Sequence, residues 1–161
     1  MNRSARLWET QTIPYEFNLC LSGSIHELER LTGEIGRFCG EHSLPDDVEF
    51  QLNLVLEELF VNAVRHGGCE GIPEAASVRI VLEEDGAVQV SFSDRGGPFD
   101  LTAAPDADIH APLSERQAGG LGIHLVRQIM RDVSYRREGE WNILSMRHSA
   151  AQSLTQRHET L

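Results

Sequence analysis

An acid and an amide stand one helical turn apart in the stretch EELFVNAVRHGG, which covers residues 57–68. Helical spacing in this region gives one apolar stripe, formed by Leu52, Leu56, Leu59 and Ala63. At about 100° of rotation per residue, Glu58 and Asn62 share one flank of that stripe. Glu57 falls on the other side and is expected to be solvated. The Glu58 and Asn62 oxygens could share a cation or a water molecule, and the alternative is a polar flank that faces solvent.

A second acid, Asp94, ends a strand-like run in which Val88, Val90 and Phe92 share one face. Because Asp94 has the same parity, the alternation predicts an inward carboxylate, which needs a hydrogen-bond donor. Gly96 and the glycine after it leave room for close approach to the backbone. A ligand with an exocyclic amine could therefore bind the acid. The alternative is a turn aspartate that accepts from its own backbone.

The third feature is GGLGIHL, residues 119–125, where glycines directly precede a predicted helix. Free N–H groups at the positive end of a helix form a ready anion site. The segment is not a Walker loop, because no G-K-[ST] follows, and it does not follow a strand as a dinucleotide fingerprint does. An ordinary loop end is the alternative. Taken in chain order, the three features could bind Mg²⁺, an adenine amine and phosphates, with Glu58 as general base or water-positioning group.

The elements that carry these residues alternate between helices and hairpins. The helices are predicted from a Ser24–Glu27 capping box to about His42, from LPDD at 44–47 to Gly67, and over Leu121–Met130. The strands are predicted over Ile13–Ser22, in a hairpin over Ala76–Asp94 with its turn at Asp85-Gly86, and in a hairpin over Val133–His148 that turns near Gly139. The connection over 95–120 is too long for a routine loop. The pattern predicts one α+β domain over 1–161, a two-layer α/β sandwich with frayed ends at 1–11 and 149–161.

Composition narrows the function classes. A net charge of −11 in 161 residues repels nucleic-acid phosphates, so no direct nucleic-acid binding is expected. No apolar run approaches the ~20 residues that span a bilayer, and the first residues lack a signal-peptide pattern, so a cytoplasmic protein with no membrane association is expected. The three distant cysteines and the absence of H-E-x-x-H favour plain thiols and argue against a metal cage built from protein side chains alone.

The chain resembles the GHKL (Bergerat-fold) ATPases through three motifs in order. EELFVNAVRHG is similar to their N box, DRGGPFD to the G1 box and GGLGIHLVRQIM to the G2 box. Pro98 stands where many members carry a second glycine, and the Pro-Phe-Asp sequence most resembles the anti-sigma-factor serine kinases of bacterial partner switching. The resemblance covers about Ile13 to Arg147. It implies a Bergerat fold with a mixed, mostly antiparallel sheet and a mobile ATP lid.

The resemblance also implies a role for each matching residue. Glu58 would be the base that activates the attacking serine, Asn62 the Mg²⁺ ligand, and Asp94 the adenine-reading acid. Arg65 and His66 would reach phosphates or the lid, and Arg116 would approach the γ-phosphate from the lid. The remaining nucleotide-binding set is Gly96 and Phe99 in the G1 box, with Gly119, Gly120, Leu121, Gly122 and Ile123 in the G2 box.

The function implied is an ATP- and Mg²⁺-dependent protein-serine kinase. It would phosphorylate an anti-anti-sigma-type antagonist and sequester a sigma factor or a similar regulator. One alternative is a nucleotide-binding module that acts by sequestration alone, although such a module has no need of a base at Glu58. A scaffold without nucleotide is the other alternative. The resemblance allows a homodimer, and no sequence feature decides between a dimer and a monomer.

Overall fold

The computed structural model describes residues 14–103 and 120–149, which form three helices and five strands. The helices are α1 (Glu27–Glu41), α2 (Asp46–Arg65) and α3 (Gly120–Ile129). The strands are β1 (Tyr15–Leu21), β2 (Ala76–Leu82), β3 (Val88–Asp94), β4 (Arg131–Glu138) and β5 (Trp141–His148). The predicted helices and hairpins are thus confirmed to within a few residues. The expected frayed segments at 1–11 and 149–161, apart from residue 149, and most of the long connection lie outside the described residues.

The strands form one sheet in the order β1-β2-β3-β5-β4. Every pairing among the described strands is antiparallel, so the mixed component implied by the resemblance is not found in this part of the chain. The α+β class is confirmed. The register sets Asp94, at the end of β3, directly opposite Asn142 of β5. Residues far apart in sequence therefore meet where these two adjacent inner strands lie side by side.

Period-two alternation places the apolar residues of the central strands on one face of the sheet, towards the helices. The inward residues of the three central strands are buried, namely Val78, Ile80, Val88, Val90, Phe92, Leu144 and Met146. The outward residues of β3, which are Gln89, Ser91 and Ser93, are polar and only partly buried. One sheet face thus forms the core with the helices, as a two-layer sandwich requires.

Helix α2 is buried over a wider arc than its predicted stripe. Val48, Val55, Phe60 and Val64 are buried in addition to the four residues of that stripe. Gly36 of α1 lies against Glu49, whereas Gly122 of α3 lies against Glu58. Nine residues separate these two glutamates, which places them about half a turn apart on the helix. Helices α1 and α3 therefore flank α2 on opposite sides, and Glu57 is partly buried instead of solvated.

The predicted Ser24–Glu27 capping box is wrong in detail. Helix α1 begins at Glu27, and the preceding His26 makes no side-chain capping bond. Ser22 donates its hydroxyl to Glu27 Oε1 at 2.8 Å. The spacing placed the N-cap two residues too early, because residues 25 and 26 form a turn before the helix begins. At the other end of the next helix, Gly68 has φ of +85°, so the predicted glycine stop is confirmed.

The cysteines match the plain thiols expected from the sequence. Cys39 and Cys69 are buried, Cys20 is exposed, and all three are free. Burial raises the pKa of the Cys39 thiol to about 11, so it behaves as a small apolar side chain. Within residues 14–103 and 120–149, the helices are too short or too polar to cross a membrane.

Candidate active site

A cavity of about 300 Å³ opens where the C-terminal half of α2 meets the ends of β3 and β5. It is lined by Leu59, Asn62, Ala63, His66, Gly67, Phe92, Asp94, Gly97, Pro98, Phe99, Leu101, Ile123, Tyr135, Asn142 and Leu144. Asn62 and Asp94, which come from different motifs, thus line the same cavity. Apolar walls with a few converging polar groups are typical of small-molecule sites of this size.

Asp94 is held at the base of the cavity by two donors. Its Oδ1 accepts from the backbone N–H of Gly96 at 2.8 Å and from Asn142 Nδ2 at 2.9 Å. A Cβ on Gly96 would lie 2.7 Å from Asp94 Oδ1 and 2.8 Å from the Gly67 carbonyl oxygen, so no larger residue fits there. Asp94 is therefore both a turn aspartate and an inward carboxylate, and the two alternatives from the sequence are compatible.

The end of α2 is joined to the loop after β3. Gly97 donates its backbone N–H to the Gly67 carbonyl oxygen at 2.9 Å, and Gly67 donates to the Asn62 carbonyl oxygen at 2.8 Å. Asn62 itself is partly buried and faces the cavity. These bonds fix the distance between the amide of α2 and the acid of β3. His66 lines the cavity as well, whereas the exposed Arg65 is not among the lining residues.

Glu58 lies beside the cavity and not in its lining, and its neighbour is the start of α3. A Cβ on Gly122 would lie 3.2 Å from Glu58 Cδ and 3.3 Å from Glu58 Cβ, and it would overlap Oε2. Glycine at 122 is thus what allows the first turn of α3 to approach the carboxylate. Negative charge is favoured at this end of a helix, since its backbone N–H groups are unpaired. The structure therefore brings the glutamate of the first motif to the helix start of the third.

We expect Gly122→Ala to destabilise the protein, because its Cβ would overlap Glu58 Oε2 and crowd Glu58 Cδ and Cβ, so that the Glu58 side chain or α3 has to shift. Overpacking of this kind costs about 1–3 kcal/mol, which thermal denaturation would measure as a lower Tm. Gly33→Ala is the matched control, since Gly33 lies in the middle of α1 with nothing within 4 Å of an added Cβ. The control should raise the stability, by about 0.5–1 kcal/mol. Equal Tm changes for the two variants would contradict the close contact.

The other predicted residues divide by position. Ile123 is buried and lines the cavity, and Phe99 stands at its rim with 57% of its surface exposed. Gly120 begins α3, and Leu121 follows in its first turn. Arg116 and Gly119 lie outside the described residues.

Asn142 is the functional candidate that sequence reasoning missed. It is 7% exposed and contacts Asp94, Tyr135 and Arg137. The signal was present in the chain, because Asn142 has the parity of the inward Leu144 and Met146 on β5. A polar residue at an inward strand position requires partners.

The donor set fits a magnesium ion only in company with phosphate oxygens. Among residues 14–103 and 120–149, no three histidine, cysteine, aspartate or glutamate side chains are grouped to hold a metal. Asn62 offers one carboxamide oxygen at the cavity wall. Mg²⁺ in nucleotide enzymes is commonly held by one or two protein oxygens together with substrate phosphates. The residues present fit that arrangement.

The chain matches one family model and one characterised relative. The model of a family described as "Histidine kinase-like ATPase domain" matches residues 23–148. A serine/threonine-protein kinase, BtrW of Bordetella bronchiseptica, is 32% identical over 108 residues, which cover 66% of this chain and 75% of BtrW. This relative matches well over half of the chain.

Two solved structures share the fold. The structure of the RsbU and RsbW domains of Rv1364c from Mycobacterium tuberculosis superposes with a TM-score of 0.62 at 15% identity, covering 83% of this chain and 32% of that one. The SiaB–SiaC complex from Pseudomonas aeruginosa gives a TM-score of 0.54 at 19% identity, covering 83% and 87%. The chain thus spans about a third of the Mycobacterium tuberculosis chain.

Proposed function

Because the chain belongs to the histidine kinase-like ATPase domain family, we propose that it binds ATP and transfers the γ-phosphoryl group to a serine of a partner protein. The observation that carries this proposal is the single cavity shared by Asn62 and Asp94, with Glu58 beside it. Similarity to a serine/threonine-protein kinase supports the choice of reaction.

In this proposal the purine occupies the inner part of the cavity. Asp94 accepts a hydrogen bond from the exocyclic amine, and the apolar side chains of Phe92, Leu144 and Ile123 pack around the base. The phosphates extend toward Asn62 and the first turn of α3, where Gly120, Leu121 and Gly122 would offer backbone N–H groups. Gly119, which precedes the helix in sequence, is proposed to contribute as well. Mg²⁺ held by Asn62 and the phosphates would neutralise charge on the transferring group. Arg65, His66 and Arg116 are proposed to assist at the phosphates or the lid.

Transfer then needs little covalent participation by the protein. The serine oxygen attacks the γ-phosphorus, the bond from that phosphorus to the bridging oxygen breaks, and ADP leaves with the bridging oxygen. Glu58 accepts the hydroxyl proton. The contact between Glu58 and the start of α3 supports this role, because the phosphates are proposed to bind at that helix start.

The proposed substrate is an anti-anti-sigma-type antagonist protein, and the proposed second partner is a sigma factor or a similar regulator that the kinase sequesters. The setting proposed for this switch is the cytoplasm. A homodimer is a separate proposal, which light scattering of the purified protein at micromolar concentration would decide. A monomer under those conditions would remove the dimer without affecting the kinase assignment.

We expect Mg-ATP to raise the Tm of the purified protein. A ligand at 100 times its Kd stabilises the native state by about 2.7 kcal/mol, which corresponds to several degrees for a domain of this size. Differential scanning fluorimetry would measure the shift, with Mg-GTP as the matched control. An unchanged Tm at millimolar Mg-ATP would contradict nucleotide binding.

Phosphotransfer requires its own assay. An anti-anti-sigma-type antagonist that co-purifies with this protein, incubated with the kinase and γ-labelled ATP, should acquire label on a serine that mass spectrometry identifies. A Tm shift without transfer to that antagonist would support the sequestration-only alternative and would contradict the kinase assignment.

A further inference from the structure

Asn142 makes five hydrogen bonds at the base of the cavity, and together they use both ends of its carboxamide. Nδ2 donates to Asp94 Oδ1 at 2.9 Å, to the Gly97 carbonyl oxygen at 2.9 Å and, more weakly, to the Gly96 carbonyl oxygen at 3.3 Å. Oδ1 accepts from the Tyr135 hydroxyl at 2.8 Å and from Arg137 Nη1 at 2.8 Å. No hydrogen of this amide is left over for a ligand, since an amide has only two to donate.

The chemistry of the partners fixes which way the amide faces. Reversing the carboxamide would set its oxygen against a carboxylate and two carbonyl oxygens, and its NH₂ against a guanidinium. Tyr135 and Arg137, both on edge strand β4, therefore hold the donor end of Asn142 toward Asp94. Arg137 also donates to the Gly96 carbonyl oxygen at 3.1 Å. It therefore binds both the Asn142 amide and the turn at Gly96 and Gly97, which we call the glycine turn.

This arrangement determines what Asp94 can offer. Within the described residues, both strong donors to Asp94, the Gly96 N–H and Asn142 Nδ2, bind its Oδ1. Oδ2 is then the oxygen available to a ligand in the cavity. The floor at this point presents an acceptor and no free donor, so it favours a purine with an amine at this position over one with a carbonyl.

We infer that Asn142 is a positioning residue of the nucleotide site, and that Arg137 and Tyr135 of β4 set its orientation and thereby the base selectivity of Asp94. The inference rests on the proposed nucleotide binding. It adds that the β4–β5 hairpin, which carries none of the three motifs, decides the geometry of the adenine end. Asn142 acts through Asp94 and the glycine turn, not on the phosphates.

The first test removes Arg137, which is exposed and so should not be needed for folding. Arg137→Ala should weaken Mg-ATP binding about five- to tenfold, because the amide loses a charged partner that fixes its orientation. Arg136→Ala is the matched control, since the neighbouring Arg136 is also exposed but pairs with Glu138. The KM for ATP should rise in R137A while kcat at saturating ATP stays within about twofold. A residue that positions the adenine end of the site does not touch the phosphoryl group that is transferred.

The second test replaces the donor itself. Asn142→Asp keeps the shape of the side chain but replaces the donating NH₂ group, 2.9 Å from Asp94 Oδ1, with a carboxylate oxygen. Because two negative charges then face each other, ATP binding at pH 8 should weaken more than tenfold. Two carboxylates at this distance can share one proton, which restores a donor. The ratio of the variant's Kd to the wild-type Kd should therefore shrink as the pH falls from 8 to 6. Arg137, the Tyr135 hydroxyl at 2.8 Å from Asn142, and the Cys69 thiol at 4.0 Å from Asp94 are the other titratable groups in contact with this pair.

Asn18→Asp is the matched control for the second test. Asn18 also donates to a carboxylate, Glu16 at 2.8 Å, but on the exposed edge strand β1, far from the cavity. N18D should leave ATP affinity and its pH profile unchanged.

Tyr135→Phe removes one donor to Asn142 and should raise the ratio of GTP to ATP binding.

The outcomes separate the two levels of the argument. Failure of the wild-type protein to bind ATP would overturn the proposed function and this inference together. Wild-type affinity for ATP in both R137A and N142D would overturn the inference alone and leave the proposed function standing. A loss of affinity in N142D that is identical at pH 6 and pH 8, in a variant with a lower Tm, would show a merely structural asparagine and would also overturn it.

Discussion

Glu58→Gln should abolish serine phosphorylation while ATP still binds. The carboxamide keeps the size of the side chain and its fit against Gly122, but it cannot accept the serine proton. General-base catalysis contributes about 10²–10⁴-fold, so single-turnover transfer from labelled ATP should slow by that factor. Isothermal titration calorimetry should give a Kd for Mg-ATP close to that of the wild type, because Glu58 is not part of the cavity lining.

Glu57→Gln is the matched control for that experiment. Glu57 is partly buried like Glu58 and precedes it directly, but the helix turns it away from α3. Transfer by E57Q should stay within about threefold of wild type, as expected for a residue outside the chemistry. Undiminished transfer by E58Q would remove Glu58 from its proposed role, and equal losses in both variants would point to a general disturbance of α2.

Asp94→Asn should sharply weaken ATP binding. The new amide has one acceptor oxygen in place of two, and the Gly96 N–H and Asn142 Nδ2 already occupy that oxygen. Its NH₂ would then face the cavity, where the exocyclic amine of adenine also donates. Loss of a charged hydrogen bond costs about 1.5–3 kcal/mol, so calorimetry should show affinity reduced at least tenfold. Saturating ATP should restore much of the transfer rate.

Asp85→Asn provides the corresponding control at the opposite end of the β2–β3 hairpin. Asp85 also accepts from a backbone N–H two residues on, that of Ala87 at 2.9 Å, and it is exposed. D85N should bind ATP as the wild type does, with at most a small loss in Tm. Unchanged ATP affinity in D94N would show that the acid does not read the base, and the adenine end of the cavity would have to be reassigned.

Elements and faces followed from local patterns in the sequence. Side chains repeat every 3.6 residues along a helix and every 2 along a strand, so a short segment is enough to show which of them share a face. These two periods gave the stripe of α2 and the inward position of Asp94. The glycine stop after α2 and the Asp85-Gly86 turn depend on backbone conformations that few residues adopt. The pattern of helices and hairpins gave the α+β class, the resemblance of the three motifs gave the Bergerat fold, and the family match confirms the fold.

Contacts between distant segments did not follow from those patterns. Asn142 meets Asp94 across 48 residues because β5 pairs with β3, and only the register of the assembled sheet aligns the two. His66 and Arg65 are adjacent in sequence, yet of the two only His66 lines the cavity. Glu57 is partly buried because other elements pack around α2. A helical wheel of α2 alone leaves those elements out.

By itself, then, the sequence determined the helices, the hairpins, the inward face of Asp94 and the pairing of Glu58 with Asn62 on one helix flank. The tertiary structure alone decided that Gly122 closes on Glu58, that Asn142 orients Asp94, and that one cavity joins the amide to the acid. The physical reason is range. Periodicity and turn chemistry act over a few residues, whereas the site is made by packing α3 on α2 and pairing β5 with β3, which no local segment encodes.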